Sequence, residues 1–312
     1  DDKPKSMIEL AEKVYEMARK EDNFPQLMKA KICIVEKQCD LDPELFAGDE
    51  YEKMITELEG NTTISAEERC ARLALSHCML ASAYNSMHDT NVHDFDQETR
   101  EQFPDKAKEH MIASLADMET LSKVTEKDPM NRTALFMKSF IYKETGDTAN
   151  AIILLRKVCD YYPEFADAFE ELGTLYVNHH DPLGIDYLNT VIRLKPKSTN
   201  ARYNIAMFYQ ETGDIKKAEE YYKQILDIDS GHKYAWHNRG YIQMFAYSNF
   251  AEAAEYFTKA IQCDSNFIEA WTNRGYAYEL NGEKAKAHQD YTTAVNLDGT
   301  YSQALEGFER TR

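Results

Sequence analysis

The chain is short of the residues that interrupt helices: its 312 residues include only 12 glycines and 8 prolines. That scarcity excludes collagen-like and low-complexity designs and argues against a fold built on many tight turns. Long apolar runs are missing too, since no stretch approaches the ~18 consecutive apolar residues of a membrane-crossing helix. Basic charge is in deficit, with 36 Lys and Arg against 54 Asp and Glu and a formal charge of −18. Nucleic acid needs a basic face to displace its condensed counterions, and without a sustained basic run no such partner is expected. The acidity favours neutral or basic partners, and it also keeps a long exposed chain soluble.

Cysteines are few and unpatterned. Cys33, Cys39, Cys70, Cys78, Cys159 and Cys263 form no CxxC pair, which removes zinc ribbons and thioredoxin-type redox motifs. Cys70 and Cys78 fall eight apart in one predicted helix, about 12 Å along its axis and beyond disulfide reach. All six read as small buried apolar side chains. The chain opens at Asp1 without methionine or an apolar leader. Either trimming or removal of a signal peptide accounts for that start, and removal would place the protein in a bacterial periplasm or envelope.

Catalytic motifs are absent as well: there is no Gly-rich phosphate loop, nucleophile elbow or HExxH helix. Residues His88, Asp89, Asn91, His93, Asp94 and Asp96 form the densest polar cluster. A helix-loop-helix calcium site would want Gly at Asp94 and Glu at Arg100, so the cluster reads as a solvated loop, with a transition-metal pair at His88 and His93 as the alternative. His179-His180-Asp181-Pro182 likewise reads as an exposed turn. No catalytic residue, cofactor or metal is expected.

What the chain does have is repetition. Segments opening at Leu135, Phe169, Arg202, Trp236 and Trp271 follow one another at 34, 33, 34 and 35 residues. In each, an amphipathic segment ends at a turn such as Glu211-Thr212-Gly213-Asp214, and a second segment follows. The last unit places Trp271, Gly275 and Tyr278 in its first helix and Ala287, Tyr291 and Ala294 in its second. Large residues share one face, and small ones fall where two helices must approach closely. Such a hairpin cannot bury its own apolar face, so neighbours must stack.

These residues resemble tetratricopeptide repeats, whose pattern is a bulky residue, Leu-Gly, Tyr, Ala, Phe, Ala and Pro over ~34 positions. Phe169, Leu172, Gly173, Tyr176 and Pro196 match it, as do Tyr209, Ala218 and Tyr222, then Trp236, Gly240, Phe257 and Ala260, and earlier Tyr142, Ala151 and Pro163. Departures are Arg202 at an aromatic position, Ala206 and Ser139 for Gly, and Gln243 for Tyr, with one extra residue in the turn of the unit at Trp236. The resemblance implies an all-α fold, a right-handed α-solenoid of stacked helical hairpins. Five units occupy residues 131–299, and a capping helix occupies 300–312, with Leu305 and Phe308 facing back.

Residues 1–130 read as two or three degenerate hairpins. Met7, Ala11, Val14, Tyr15 and Met17 mark one helix, Pro25 starts another, and a longer helix near Ser65–Met87 carries Leu75, Leu80 and Tyr84. A partner helix is expected after Pro104, with an insertion over 88–103. This half also resembles, through Asp94-Phe95-Asp96 ahead of Ala113-Ser114-Leu115, the helical N-terminal segment of bacterial alpha-2-macroglobulin-like envelope proteins.

In tetratricopeptide arrays ligand contacts come from the first helix of each unit, at positions one, two, five and eight after the opening residue. By that resemblance the partner-binding groove comprises Phe136, Phe140, Tyr203, Asn204, Met207, His237, Asn238, Tyr241, Thr272, Asn273 and Tyr276. The row Asn204, Asn238, Asn273 either binds the backbone of an extended peptide or packs neighbouring repeats together. The family's clamp for acidic chaperone tails needs Lys or Arg in the groove, whereas this chain has Phe136, Glu170, Tyr203, His237 and Thr272, with Asp167 and Glu171 adding negative charge. A neutral or basic segment therefore fits better. The function expected is a non-catalytic scaffold or adaptor, the alternatives being a structural spacer of a larger complex and the regulatory region of a longer enzyme.

Overall fold

The computed structural model describes residues 3–20, 24–39, 47–89 and 97–312, and among them it forms sixteen helices and no strand. The chain divides into two compact units, Asp1–Leu172 and Gly173–Arg312.

The first unit contains α1 (Lys3–Lys20), α2 (Phe24–Cys39), α3 (Ala47–Glu59), α4 (Ala66–Asp89), α5 (Gln97–Lys127), α6 (Arg132–Glu144), α7 (Thr148–Tyr161) and the start of α8 (Ala166–Asn178). Pro25 is the second residue of α2, where the missing N–H costs nothing. Packing pairs α1 with α2, α4 with α5 and α6 with α7, while α2, α3 and α6 also touch α4. Surrounded in this way, α4 buries Ala71, Ala74, Leu75, Cys78, Leu80, Ala81 and Tyr84. Ser114 of α5, fully buried, donates its hydroxyl to the Ala74 carbonyl at 2.9 Å, which satisfies a polar group between the two helices.

Several expectations for this half need correcting. The partner helix does not wait for Pro104 but begins at Gln97, and Pro104 sits exposed inside it. Proline inside a helix removes one backbone hydrogen bond, yet α5 runs on through Pro104 to Lys127. The insertion expected over 88–103 shrinks accordingly, since Asp89 closes α4 and Gln97 opens α5; residues 90–96, with His93 and Asp94-Phe95-Asp96, lie outside the described residues. On α1 it is Ala11 and Ala18 that are buried, whereas Met7 and Met17 are exposed.

The second unit continues through the rest of α8 with α9 (Leu183–Leu194), α10 (Thr199–Glu211), α11 (Ile215–Ile228), α12 (Lys233–Phe245), α13 (Phe250–Cys263), α14 (Ile268–Leu280), α15 (Lys284–Leu297) and α16 (Ser302–Thr311). Each helix from α10 onward packs on the next, and α12 also meets α14 and α14 meets α16, as stacked hairpins require. The opening residues Leu135, Phe169, Arg202, Trp236 and Trp271 each stand fourth in their helix, so sequence period and helix register coincide.

Within each hairpin the turn is set by local chemistry. Asp147 and Asp214 cap α7 and α11 through their side chains, preceded by Gly146 and Gly213 at φ of +83° and +86°. The longer turn before α13 puts Ser248 at φ +54°, ahead of the cap Asn249.

Close helix approach is set by small residues opposite rings. A Cβ on Gly240 would lie 2.8 Å from the Phe257 ring, and one on Gly307 would lie 2.3 Å from Tyr291. Gly307, Ala304 and Thr311 form the buried face of α16, with Phe308 stacked on His288 at 4.8 Å. Leu305, expected to face back, is exposed instead: the flat seat over Tyr291 accepts no side chain at 307, so α16 turns its small face inward. Arg310 fastens the cap, donating to both Glu279 carboxylate oxygens at 3.0 and 2.9 Å.

The cysteines differ from one another. Cys78 and Cys159 are buried, Cys33 and Cys70 half-buried, and Cys263 exposed at the end of α13, one turn past Ala260. Cys39's side chain is outside those described.

Gly240→Ala is expected to lower the unfolding free energy by about 1–3 kcal/mol, because its methyl group must displace the Phe257 ring. Denaturant melts check this; an unchanged midpoint would show that the ring yields freely.

Candidate functional site

The first helices of the second unit carry most of the candidate residues, and the structure sorts these into a hydrogen-bonded floor and an exposed strip. The floor is built on the asparagines. Asn204 on α10 donates to Thr174 Oγ1 on α8 at 2.9 Å. Asn238 on α12 donates to the Tyr203 hydroxyl on α10 at 3.1 Å and the Tyr222 hydroxyl on α11 at 2.9 Å, and contacts Met207 Sδ at 3.3 Å. Asn273 on α14 lies 2.9 Å from His237 Nε2 on α12. Every one of these amides reaches back to the preceding repeat, as the packing alternative for this row requires.

His237 links two of the steps. Its Nδ1 is 3.2 Å from Asn238 Oδ1, while Nε2 faces the Asn273 amide, which has only hydrogens to offer. The imidazole is therefore neutral, with hydrogen on Nδ1 donated to Asn238 and a lone pair on Nε2 accepting from Asn273. Burial between Phe257 and Phe267, at 5.4 and 5.0 Å, holds its pKa below the ordinary value, against the opposing pulls of the Asn238 bond and Glu269. Tyr203 and Met207 are half-buried beside this ladder, and Tyr222 also donates to Gln210 Oε1 at 2.9 Å.

The strip lies at the C-terminal ends of α12 and α14. Tyr241 is 41% exposed and meets Phe245, 53% exposed, with ring centroids 4.4 Å apart. Phe245 in turn lies 6.4 Å from Tyr276 of the next repeat, a half-buried ring. Phe245 and the exposed Leu280 escaped the sequence reading. A shared signal marks them: each stands nine residues after its opening tryptophan, one helical turn beyond Tyr241 or Tyr276.

Three other groove candidates present no open face. Phe136 and Phe140 are 4% and 3% exposed, set edge to face at 5.1 Å, with Phe165 against Phe136 and the Lys143 ammonium over Phe140. Thr272 is buried too, its hydroxyl without a hydrogen-bond partner. Negative charge at α8 is also reduced, because Glu171 pairs with Lys143 at 2.6 Å. His179 and His180 occupy an exposed turn, His180 at φ +56° with Nδ1 3.7 Å from Glu211. Among the described residues, no cluster of three or more His, Cys, Asp or Glu could hold a metal ion, and no helix is long and apolar enough to cross a membrane.

Models of the tetratricopeptide repeat match residues 133–164, 199–232 and 256–289. Over these stretches the chain carries tetratricopeptide repeats. The C-terminal part of a TPR repeat-containing protein from Cytophaga hutchinsonii is similar in structure, with a TM-score of 0.53 at 18% identity over 77% of this chain and 98% of that one. PilF of Pseudomonas aeruginosa has a TM-score of 0.50 at 20% identity, over 60% of this chain and 84% of that one. At such identities the likeness speaks to the tetratricopeptide fold alone. No curated protein matches the chain. None of the three family matches covers Asp94-Phe95-Asp96, the carrier of the alpha-2-macroglobulin-like resemblance.

Asn238→Ala is expected to cost about 1–3 kcal/mol of stability, because it strips hydrogen bonds from two tyrosine hydroxyls at once. Asn204→Ala, which removes the bond to Thr174, should cost less, and thermal melts compare the two. A histidine with a lowered folded pKa gives its full stabilisation above the unfolded value of about 6.5. His237 is such a group, so the second unit should lose stability as pH falls below that value, and His237→Gln should flatten the dependence.

Proposed function

We propose that this protein is a non-catalytic scaffold whose second unit holds an extended segment of a neutral or basic protein partner along its first helices. The observation that carries this reading is the aromatic strip Tyr241, Phe245 and Tyr276, which spans adjacent repeats and leaves Tyr241 and Phe245 of α12 exposed. Rings held on rigid helices supply contact area with little entropy left to lose, which makes them effective anchors for another chain. The hydrogen-bonded asparagine ladder on the same helices adds preorganisation, so less of the binding energy goes into ordering the site.

Charge narrows the partner. Tyr203, His237 and Thr272 occupy the positions where an acidic-tail clamp would carry cations, and the imidazole among them is kept neutral. With a formal charge of −18 on the whole chain, long-range attraction selects against acidic segments. The asparagine row acts in this reading as the stiffener of the groove, and the peptide contacts fall to Tyr241, Phe245 and Tyr276, with Tyr203 and Met207 at the edge.

Selection from a displayed library of extended peptides tests it. The wild type should enrich neutral or basic sequences with an apolar anchor. Tyr241→Ala combined with Phe245→Ala should weaken the best of them at least about tenfold, or ~1.4 kcal/mol, without moving the melting temperature. Failure of the wild type to enrich any peptide, or equal binding by the double variant, would count against a groove function.

A further inference from the structure

The first unit buries a pair of histidines that the repeat architecture does not account for. His77 on α4 and His110 on α5 face one another with their Nδ1 atoms 2.8 Å apart. His110 is 3% exposed, its ring stacked on Tyr84 at 5.4 Å and 13°, and its Nε2 is buried without a hydrogen-bond partner. The Glu52 carboxylate of α3 stands 3.6 Å from that nitrogen, too long for a hydrogen bond but close enough to orient a dipole. Hydrogen on His110 Nε2 is thus favoured, which makes His110 Nδ1 the acceptor and His77 Nδ1–H the donor.

We propose that the His77–His110 pair is a proton-operated release that loosens α5 from α4 when the surroundings turn acid. The N–H···N contact accommodates a single hydrogen. A first proton can enter at His77 Nε2, because that ring is partly open to water, and leaves the contact intact. A second, on His110 Nδ1, sets two N–H groups and two positive charges against each other across 2.8 Å, and the rings must part.

The charged groups around the pair come from α3 and α5. Glu52 and Glu109 favour protonation of both rings, while Lys106 opposes it at His110. Asp49 acts on Tyr84, and Glu144 of α6 acts on Cys78 and on Lys29 of α2. Burial outweighs the carboxylates. It is the largest influence on both rings, pushing His77 down to about 4 and His110 below its ordinary value. The closed form is therefore fully favoured above the unfolded value of about 6.5 and loses ground as pH falls toward the folded values.

Hydrogen exchange followed peptide by peptide on the intact chain, at about pH 7.5 and about pH 5, reads the release directly. After correction for intrinsic rates, amides of α4 and α5 should lose protection by on the order of tenfold or more at the lower pH. His77→Gln should remove most of that loss, since its amide still donates toward His110 Nδ1 but takes up no proton. His110→Phe, which keeps the stack on Tyr84, should do the same. Constant wild-type protection in α4 and α5 down to the lower pH would overturn the proposal even if neither variant folded. Equal acid loss in the wild type and both variants would overturn it as well.

Discussion

The closeness of the two helices in each hairpin is the constraint on which the second unit depends. Gly240 against Phe257, Gly275 against Tyr291 and Ala206 with Tyr222 in one buried cluster all repeat the arrangement of a small residue on the first helix and a ring on the second. A methyl group at Gly240 would already intrude on the ring, so helix separation is fixed by what is absent at that position. Burying such a ring yields roughly 1.5–3 kcal/mol, and it does so only at this separation. Where the ring is a tyrosine, the same contact carries its hydroxyl to a set place.

That placement couples packing inside a repeat to bonding between repeats. Tyr222, fully buried, presents its hydroxyl to Gln210 of its own hairpin and to Asn238 of the next. Tyr291 presents its hydroxyl to Glu279, which also receives Arg310 from the terminal helix. A half-buried amide between repeats would be a liability if left unpaired, whereas paired with the previous repeat it specifies the offset of one hairpin on another. The asparagine row thus serves order between repeats, and under the proposed function the exposed rings of α12 are left for a partner.

The repeat period was legible in the sequence, to the point that each opening residue stands fourth in its helix. The helix assignment of the candidates was legible too, since all eleven lie on first helices. Periodicity did not say which of them a neighbouring element covers. Phe136 meets Phe165, a residue of the connection after α7, and no spacing rule inside one helix foresees that contact. Leu305 was misplaced for a related reason: hydrophobicity pointed it inward, but the space over Tyr291 admits only glycine, and shape prevailed. Pro104 suggested a helix start because proline favours first turns, yet α5 begins at Gln97 and carries the proline inside it. The asparagines left two readings open because an amide both donates and accepts, and only the position of the preceding repeat decides which groups it meets.

Histidines in the two units show how neighbours decide what a buried imidazole does. His237 has a partner for each nitrogen, an acceptor at Nδ1 and a donor at Nε2, so the neutral ring is saturated and a proton could enter only by breaking a bond of the ladder. His77 and His110 satisfy one nitrogen each through a shared hydrogen, and the remaining buried nitrogen looks toward a carboxylate it does not reach. The first arrangement resists protonation through burial, and its one basic lone pair, on Nε2, already accepts from Asn273. The second resists it chiefly through burial, with the facing ring and Lys106 adding to it and Glu52 and Glu109 opposing it, and so stays responsive to pH. On the two proposals made above, a groove that stays rigid calls for the first kind of site, and a contact between α4 and α5 that opens in acid calls for the second.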